Sequence, residues 1–270
     1  MSESKKKSPP EIYFDDIGEG NVIVLLHGFL ESTEIWKDFS KKLSKNFRVI
    51  SIDLPGHGKS GVINEIHSMD LMAIEVRNIL EISGINKCVM VGHSMGGYTA
   101  IAFAKKFRRF LKGLILFHSH VEADNEEAKI NRDRTVEIVE NNHFDFINSF
   151  TPSLFAPQNV EKFSSEIKHL IALSKKTPKE GVISAIKGMK ERKDNLDTLK
   201  RLNIPVLFIS GEQDSRIAVE KVKKQAEVNE KVSLEILKNV GHMGFIEAKE
   251  ESFKLIRNFA QTSFSWNKNN

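Results

Sequence analysis

The sequence has a single cysteine among its 270 residues, Cys88. One thiol excludes an internal disulfide framework and suits a reducing compartment. At the start of an apolar stretch, Cys88 reads as a small core residue. No apolar run approaches the ~20 residues that span a membrane. The Met-Ser-Glu-Ser-Lys-Lys-Lys start has no apolar segment behind it, so no signal peptide is expected and the expected location is cytoplasmic. A strong charge of one sign is also missing: 40 Lys and Arg face 36 Asp and Glu. Part of the small positive excess lies in Lys5-Lys6-Lys7, so neither nucleic acid nor a membrane is an expected partner. There is no fixed-period repeat and no long low-complexity tract. The histidines lack the spacings of a tetrahedral metal site, and His118-x-His120 alone is too little. The first apolar strand leads into His27-Gly28-Phe29, without the glycine spacing of a phosphate or dinucleotide loop. No metal and no organic cofactor are expected. Oligomeric state is not legible.

What is present centres on Gly92-His93-Ser94-Met95-Gly96-Gly97. The apolar run Cys88–Val91 precedes it, and the helix-forming run Tyr98–Ala104 follows. Strand, Gly-x-Ser-x-Gly, helix is the setting of a nucleophile elbow. A serine on so sharp a turn takes strained backbone angles, and glycines remove side chains that would clash there. The helix start then aims free amides at the reacting oxygen.

The rest of the chain supplies a frame for that turn. Residues 1–10 read as a disordered leader. Ile12-Tyr13-Phe14 reads as an edge strand. Val22–Leu26, Arg48–Ile52, Gly113–Phe117, Ile204–Ile209 and Val232–Leu237 read as further strands, several of them continuously apolar as in strands buried on both faces. Helices are expected around Trp36, Phe39 and Leu43, over Met69–Ile82 with Leu71, Ile74, Asn78 and Ile82 near one stripe, and over Ala218–Asn229 and Ala248–Ala260. Strands alternating with helices imply an α/β fold, a mostly parallel sheet flanked by helices. Composition changes near residue 121. Glu122–Val139, Val160–Ser174 and Pro178–Lys193 read as helices, with Phe144, Phe146, Phe150, Leu154 and Phe155 in a stretch broken by Pro152 and Pro157. We expect residues 121–200 to be a helical cap inserted into a core made of residues 11–120 and 201–265.

A serine hydroxyl needs a base within hydrogen-bond reach, and histidine titrates in the right range. A carboxylate on the other ring nitrogen fixes the tautomer. The required set appears in the order Ser94, Asp214, His242, each just past a strand end, where open parallel sheets gather their chemistry.

At this point the sequence resembles the α/β-hydrolase family, over about residues 12 to 262. The matching pieces are His27-Gly28-Phe29, Asp53-x-x-Gly56-x-Gly58-x-Ser60, Gly92-His93-Ser94-Met95-Gly96-Gly97, Gly211-x-x-Asp214 and Gly241-His242. The resemblance implies Ser94 as nucleophile, Asp214 as acid and His242 as base, with the backbone amides of Phe29 and Met95 as oxyanion donors. It also argues against haloalkane dehalogenase and epoxide hydrolase action, which use an aspartate nucleophile in that family. The expected activity is serine hydrolysis of a small carboxylic ester through an acyl-enzyme. Thioesterase, lactonase, carbon–carbon bond hydrolase and acyltransferase chemistry remain open at the same site, as does a non-catalytic small-molecule receptor. Leu30, His118, Phe150, Leu154 and Met243 are expected to line the substrate pocket. His120 is a further candidate for substrate contact. Glu212, Glu122 and Asp124 are alternative acids. His27 is expected to brace the loop that carries Phe29, with His57, His93 and Asp53 structural in their turns.

Overall fold

The computed structural model describes residues 12–266, so the expected leader at residues 1–10 lies outside the described residues. From the amino end run β1 (Phe14–Ile17), β2 (Val22–Leu26), α1 (Lys37–Leu43), β3 (Arg48–Ile52), α2 (Met69–Ile82), β4 (Cys88–His93), α3 (Met95–Phe107) and β5 (Leu111–Phe117). A helical block follows: α4 (Glu126–Phe150), α5 (Ser164–Ser174), α6 (Lys179–Lys190) and α7 (Leu196–Arg201). The sheet then resumes with β6 (Val206–Gly211), α8 (Val219–Ala226), β7 (Val232–Leu237), the short α9 (Gly244–Glu247) and α10 (Lys249–Ser265).

The seven strands form one sheet in the order β1-β3-β2-β4-β5-β6-β7. Strand β1 is antiparallel to β3, and every other neighbouring pair is parallel. The two-residue period of β2 divides the core: Val24 and Leu26 pack on one face, Ile23 and Leu25 on the other, all fully buried. The first face is covered by α2 and α3. The second is covered by α1 and α10 through Phe39, Leu43, Ile256 and Ala260, with Trp36 beside them. Burial on both faces is why the central strands are continuous apolar runs. No described helix is long and apolar enough to cross a membrane.

Helix α5 begins at Ser164 rather than Val160 and α10 runs on to Ser265, and α2 and α4 differ more in form. Helix α2 has the expected span but turns another face inward. It buries Met69, Met72, Ala73, Val76, Ile79 and Leu80, while Ile74 and Ile82 are 38% and 75% exposed. The helix carries more apolar residues than one stripe needs, and contact with α3 selects the stripe. There the Thr99 hydroxyl meets Met72 Sδ at 3.4 Å. Helix α4 begins four residues later than the expected Glu122 and runs past Val139 to Phe150. It is interrupted at Asn142 (φ −142°, ψ 61°) and stops before Pro152. It takes in Phe144, Phe146 and Phe150, and the helix interior would not tolerate the proline that follows.

Candidate active site

Residue 94 lies between the end of β4 and the start of α3, with φ 49° and ψ −113°. That left-handed region is costly for a side chain and persists only where the surroundings impose it. Here they do. A Cβ on Gly92 would stand 2.3 Å from the Gly96 carbonyl oxygen, and one on Gly96 would stand 2.5 Å from the Leu26 carbonyl oxygen. The Ser94 amide donates to the Phe117 carbonyl (2.9 Å), and the Ser119 hydroxyl donates to the Ser94 carbonyl (2.9 Å). The end of β5 therefore holds the turn from beside it. Among the described residues the Ser94 hydroxyl makes no hydrogen bond, and the amides of Phe29 and Met95 donate to no protein group. Apo nucleophile–base contacts are commonly loose and tighten with substrate.

Asp214 and His242 meet beyond the ends of β6 and β7. The His242 Nδ1 lies 2.8 Å from Asp214 Oδ2 and 3.0 Å from Oδ1. The Asp214 carboxylate also accepts from the amides of Arg216 (2.8 Å) and Ile217 (3.0 Å) and meets His118 Nδ1 at 3.1 Å. Burial pushes its pKa up, but His242 and His118 outweigh burial and hold it well below the carboxylate range. Asp214 thus stays ionised, and each imidazole presents Nδ1–H to it. The His242 amide donates to the Leu154 carbonyl (2.7 Å), which ties that loop to the helical block.

The alternative acids are engaged elsewhere. Glu212 accepts from the Asn239 amide at 3.0 Å, Glu122 pairs with Lys221 at 3.1 Å, and Asp124 pairs with Arg192 at 2.6 Å. His118, Asp214 and His242 also bring three metal-capable groups within 4.8 Å of one another. Their nitrogen–oxygen distances are those of direct hydrogen bonds, which put protons where a cation would need lone pairs.

A cavity of about 440 Å3 opens over Ser94 and His242. Phe29, Phe146 and Phe150 form an aromatic wall, with Phe29 edge-on to Phe150 at 5.8 Å and Phe146 stacked on Phe150 at 5.2 Å. Of the expected lining residues, Phe150 and Leu154 face the cavity, and so does His120. The structure places the other three away from it. Leu30 is 3% exposed at φ 63° and passes its carbonyl to Ser174. Met243 is buried in the core beside α9. His118 lies behind Asp214, wholly buried and neutral, its pKa lowered to about 4 by burial against the pull of Asp214. A residue that follows a strand end can turn inward as readily as outward, and His118 does so at φ 47°.

Glu31, Arg132 and Arg216 also reach the cavity wall, and sequence reasoning had singled out none of them. Glu31 carries a network. It accepts from the Gly28 amide at 2.5 Å and from His93 Nδ1 at 2.9 Å, and His93 Nε2 donates to the His242 carbonyl at 3.0 Å. Two donations need both ring protons. Burial opposes that charge on His93, but Glu31 outweighs it and raises the pKa; Glu31 is lowered in turn despite its own burial. One buried ion pair thus joins the Phe29 loop, the serine turn and the His242 loop. The available signal was a carboxylate directly after His27-Gly28-Phe29-Leu30, where the chain enters the core. His27 braces the same loop, accepting from the Leu54 amide at 2.9 Å and meeting the Gly28 carbonyl at 2.7 Å. Asp53 is structural, accepting the amides of Thr33 (2.7 Å) and Lys59 (2.8 Å).

The Glu31 network predicts that Glu31→Gln lowers kcat by roughly tenfold or more while KM changes little, because the loop amide moves off its target. Steady-state kinetics and a thermal melt check this. An unchanged kcat would make the pair a stability device alone.

Several known proteins are similar to this chain in sequence or fold. A thermophilic esterase from Thermogutta terrifontis, solved with malate bound, is 33% identical, with a TM-score of 0.90 over 96% of each chain. The enol-lactonase of Burkholderia xenovorans LB400 shares the fold at 21% identity, with a TM-score of 0.86 over 93% of this chain and 96% of that one. The 2-hydroxy-6-oxononadienedioate/2-hydroxy-6-oxononatrienedioate hydrolase of Escherichia coli K12 is 35% identical over 111 residues, 39% of this chain and 38% of that protein. An uncharacterised protein of Mycobacterium tuberculosis H37Rv is 36% identical over 99 residues, 37% of this chain and 29% of that one. The matches to these two curated relatives thus span less than two-fifths of their length. The family model described as alpha/beta hydrolase fold matches residues 21–249, and with the sheet order above it makes this chain a member of the α/β-hydrolase fold family.

Proposed function

We propose that the chain is a serine esterase acting on a small carboxylic ester, with residues 121–200 as a cap over the reacting atoms. The observation that carries this reading is one cavity that presents the Ser94 hydroxyl on its strained turn beside a histidine held at Nδ1 by an ionised, buried Asp214. In this reading Ser94 Oγ attacks the acyl carbon and His242 Nε2 takes its proton. The carbonyl electron pair moves onto oxygen, where the Phe29 and Met95 amides receive it; one such donor is worth on the order of 3 kcal/mol in the transition state. Collapse breaks the acyl–alkoxy bond, and His242 returns the proton to the departing alcohol. Water then attacks the acyl-enzyme, giving its proton to His242. Ser94 leaves reprotonated and the acid is released. The ionised Asp214 keeps the His242 proton on Nδ1, so Nε2 is free to accept. The Thermogutta relative is described as an esterase, which supports the choice of ester.

Hydrolysis of p-nitrophenyl acetate and butyrate tests it. The wild type should turn both over, and Ser94→Ala should lose at least a thousandfold in kcat. Equal rates for the two proteins would remove Ser94 from the chemistry.

A further inference from the structure

The cavity wall carries more positive charge than it balances. Three guanidinium groups reach it, those of Arg132, Arg192 and Arg216, against one carboxylate not already held by a histidine, Asp124. Arg192 is accounted for. It is buried, paired to Asp124 at 2.6 Å and seated over the Tyr98 ring at 4.2 Å. It also donates to the carbonyls of Glu122 (3.1 Å) and Met189 (2.9 Å). The other two are not. Arg132, on α4, uses only its Nε, toward Asp124 Oδ2 at 3.1 Å; among the described residues its two terminal nitrogens have no partner. Arg216 follows the Asp214 turn and meets no described carboxylate through its side chain. Its guanidinium lies over the Phe150 ring at 4.7 Å and donates one bond, to the Ser153 hydroxyl. Arg132 and Arg216 line the same cavity; burial, with a smaller push from Arg132, lowers the Arg216 pKa against the pull of the histidine-held Asp214.

A purely structural pair of arginines would be expected to share a carboxylate, as Arg192 and Arg132 share Asp124. Instead Arg216 is pre-positioned by stacking and by one hydroxyl, with the rest of its fork open. Such a fork matches a carboxylate's two oxygens, and stacking reduces the entropy lost on binding. We propose that the substrate carries a second group, a carboxylate, which Arg216 and Arg132 hold at the wall of the cavity away from the reacting bond. This rests on the esterase reading for the reaction and extends it to a substrate class, the half-ester of a dicarboxylic acid or the ester of a hydroxy acid.

The experiment has two arms. The first compares kcat/KM at low salt for matched pairs: a p-nitrophenyl hemiglutarate against p-nitrophenyl valerate, and the acetate of a hydroxy acid against that of the matching alcohol. In at least one pair the anionic ester should be favoured by about tenfold or more, the range of a charge-assisted bidentate contact. That ratio should shrink with added salt. It should fall toward one in Arg216→Gln and in Arg132→Gln, and survive in part in Arg216→Lys. No anionic preference in either pair, or the same ratio in every variant, overturns the proposal. The second arm measures calorimetric binding of monomethyl glutarate and dimethyl glutarate to the Ser94→Ala protein. Tighter binding of the monoanion, lost in Ser94→Ala with Arg216→Gln, supports the carboxylate site even if the wild type cleaves no ester, in which case the esterase reading alone falls. Cleavage of neutral esters with no tighter monoanion binding leaves that reading intact and ends this one.

Discussion

Asp214→Asn is expected to lower kcat by about four orders of magnitude while KM shifts no more than severalfold. The reason lies in how many donors converge on this carboxylate. His242, His118 and the amides of Arg216 and Ile217 all point at its two oxygens. An asparagine has one acceptor oxygen and one donor nitrogen. If its oxygen stays on the two amides, its NH2 faces the imidazoles and pushes the His242 proton to Nε2, where it blocks acceptance from Ser94. If its oxygen faces the imidazoles, two buried amide donors lose their partner. The first outcome destroys the base, and the second moves the loop that carries Arg216. Pre-steady-state release of p-nitrophenol from both proteins reads the acylation step. A loss below tenfold would remove Asp214 from the mechanism. The substitution also has a pH signature. The native pKa of Asp214 is depressed, so its contribution to stability is present above the ordinary value of 3.8 and is lost as the pH falls below it. Asp214→Asn should therefore cost stability at neutral pH and flatten the curve only in strong acid.

Acid should begin to unfold the protein well before its carboxylates titrate. His57, His118 and His120 are buried and neutral, with native pKa values lowered by burial from 6.5 to about 3, about 4 and about 3. The unfolded chain takes up these protons from pH 6.5 downward and the native chain does not. Stability is therefore full above pH 6.5 and falls as the pH drops toward the native values. Each such histidine contributes a slope of up to about 1.4 kcal/mol per pH unit. His93 works the other way: its raised native pKa adds stability that is complete below 6.5 and lost as the pH rises through the native value. His67, lowered by burial to about 4, and His27, lowered by burial despite Asp53, act in the same direction as those three, so the lowered histidines outnumber His93 and stability falls between pH 7.5 and 5.5. Urea melts at the two values check this, and potentiometric proton uptake on unfolding at pH 5.5 gives the count directly. A midpoint that does not move would contradict the neutral state of these buried side chains.

The sheet was readable because burial on both faces makes β2, β4 and β5 continuous apolar runs, and because glycines mark the strained turn at Ser94. The pairing of Asp214 with His242 could be anticipated from chain order, since each side chain follows its own strand end. Other features depend on contacts that local pattern does not carry. The buried stripe of α2 is chosen by α3, and the length of α4 is set by the first proline that could stop it. His118 turns inward to Asp214, 96 residues away, while Glu31 reaches His93 across 62. The charge balance of the cavity wall needs the fold as well. Arg132 is on α4 and Arg216 follows β6, and the shortage of carboxylates beside them becomes visible only once both stand at one opening.

The proposed mechanism turns on a nucleophilic serine at the end of β4, and a fluorophosphonate probe reads it most directly. Mass spectrometry of the labelled wild type should place the phosphonate on Ser94. Labelling should slow sharply in Asp214→Asn and vanish in Ser94→Ala. Labelling of Ser94→Ala at the wild-type rate would contradict the account.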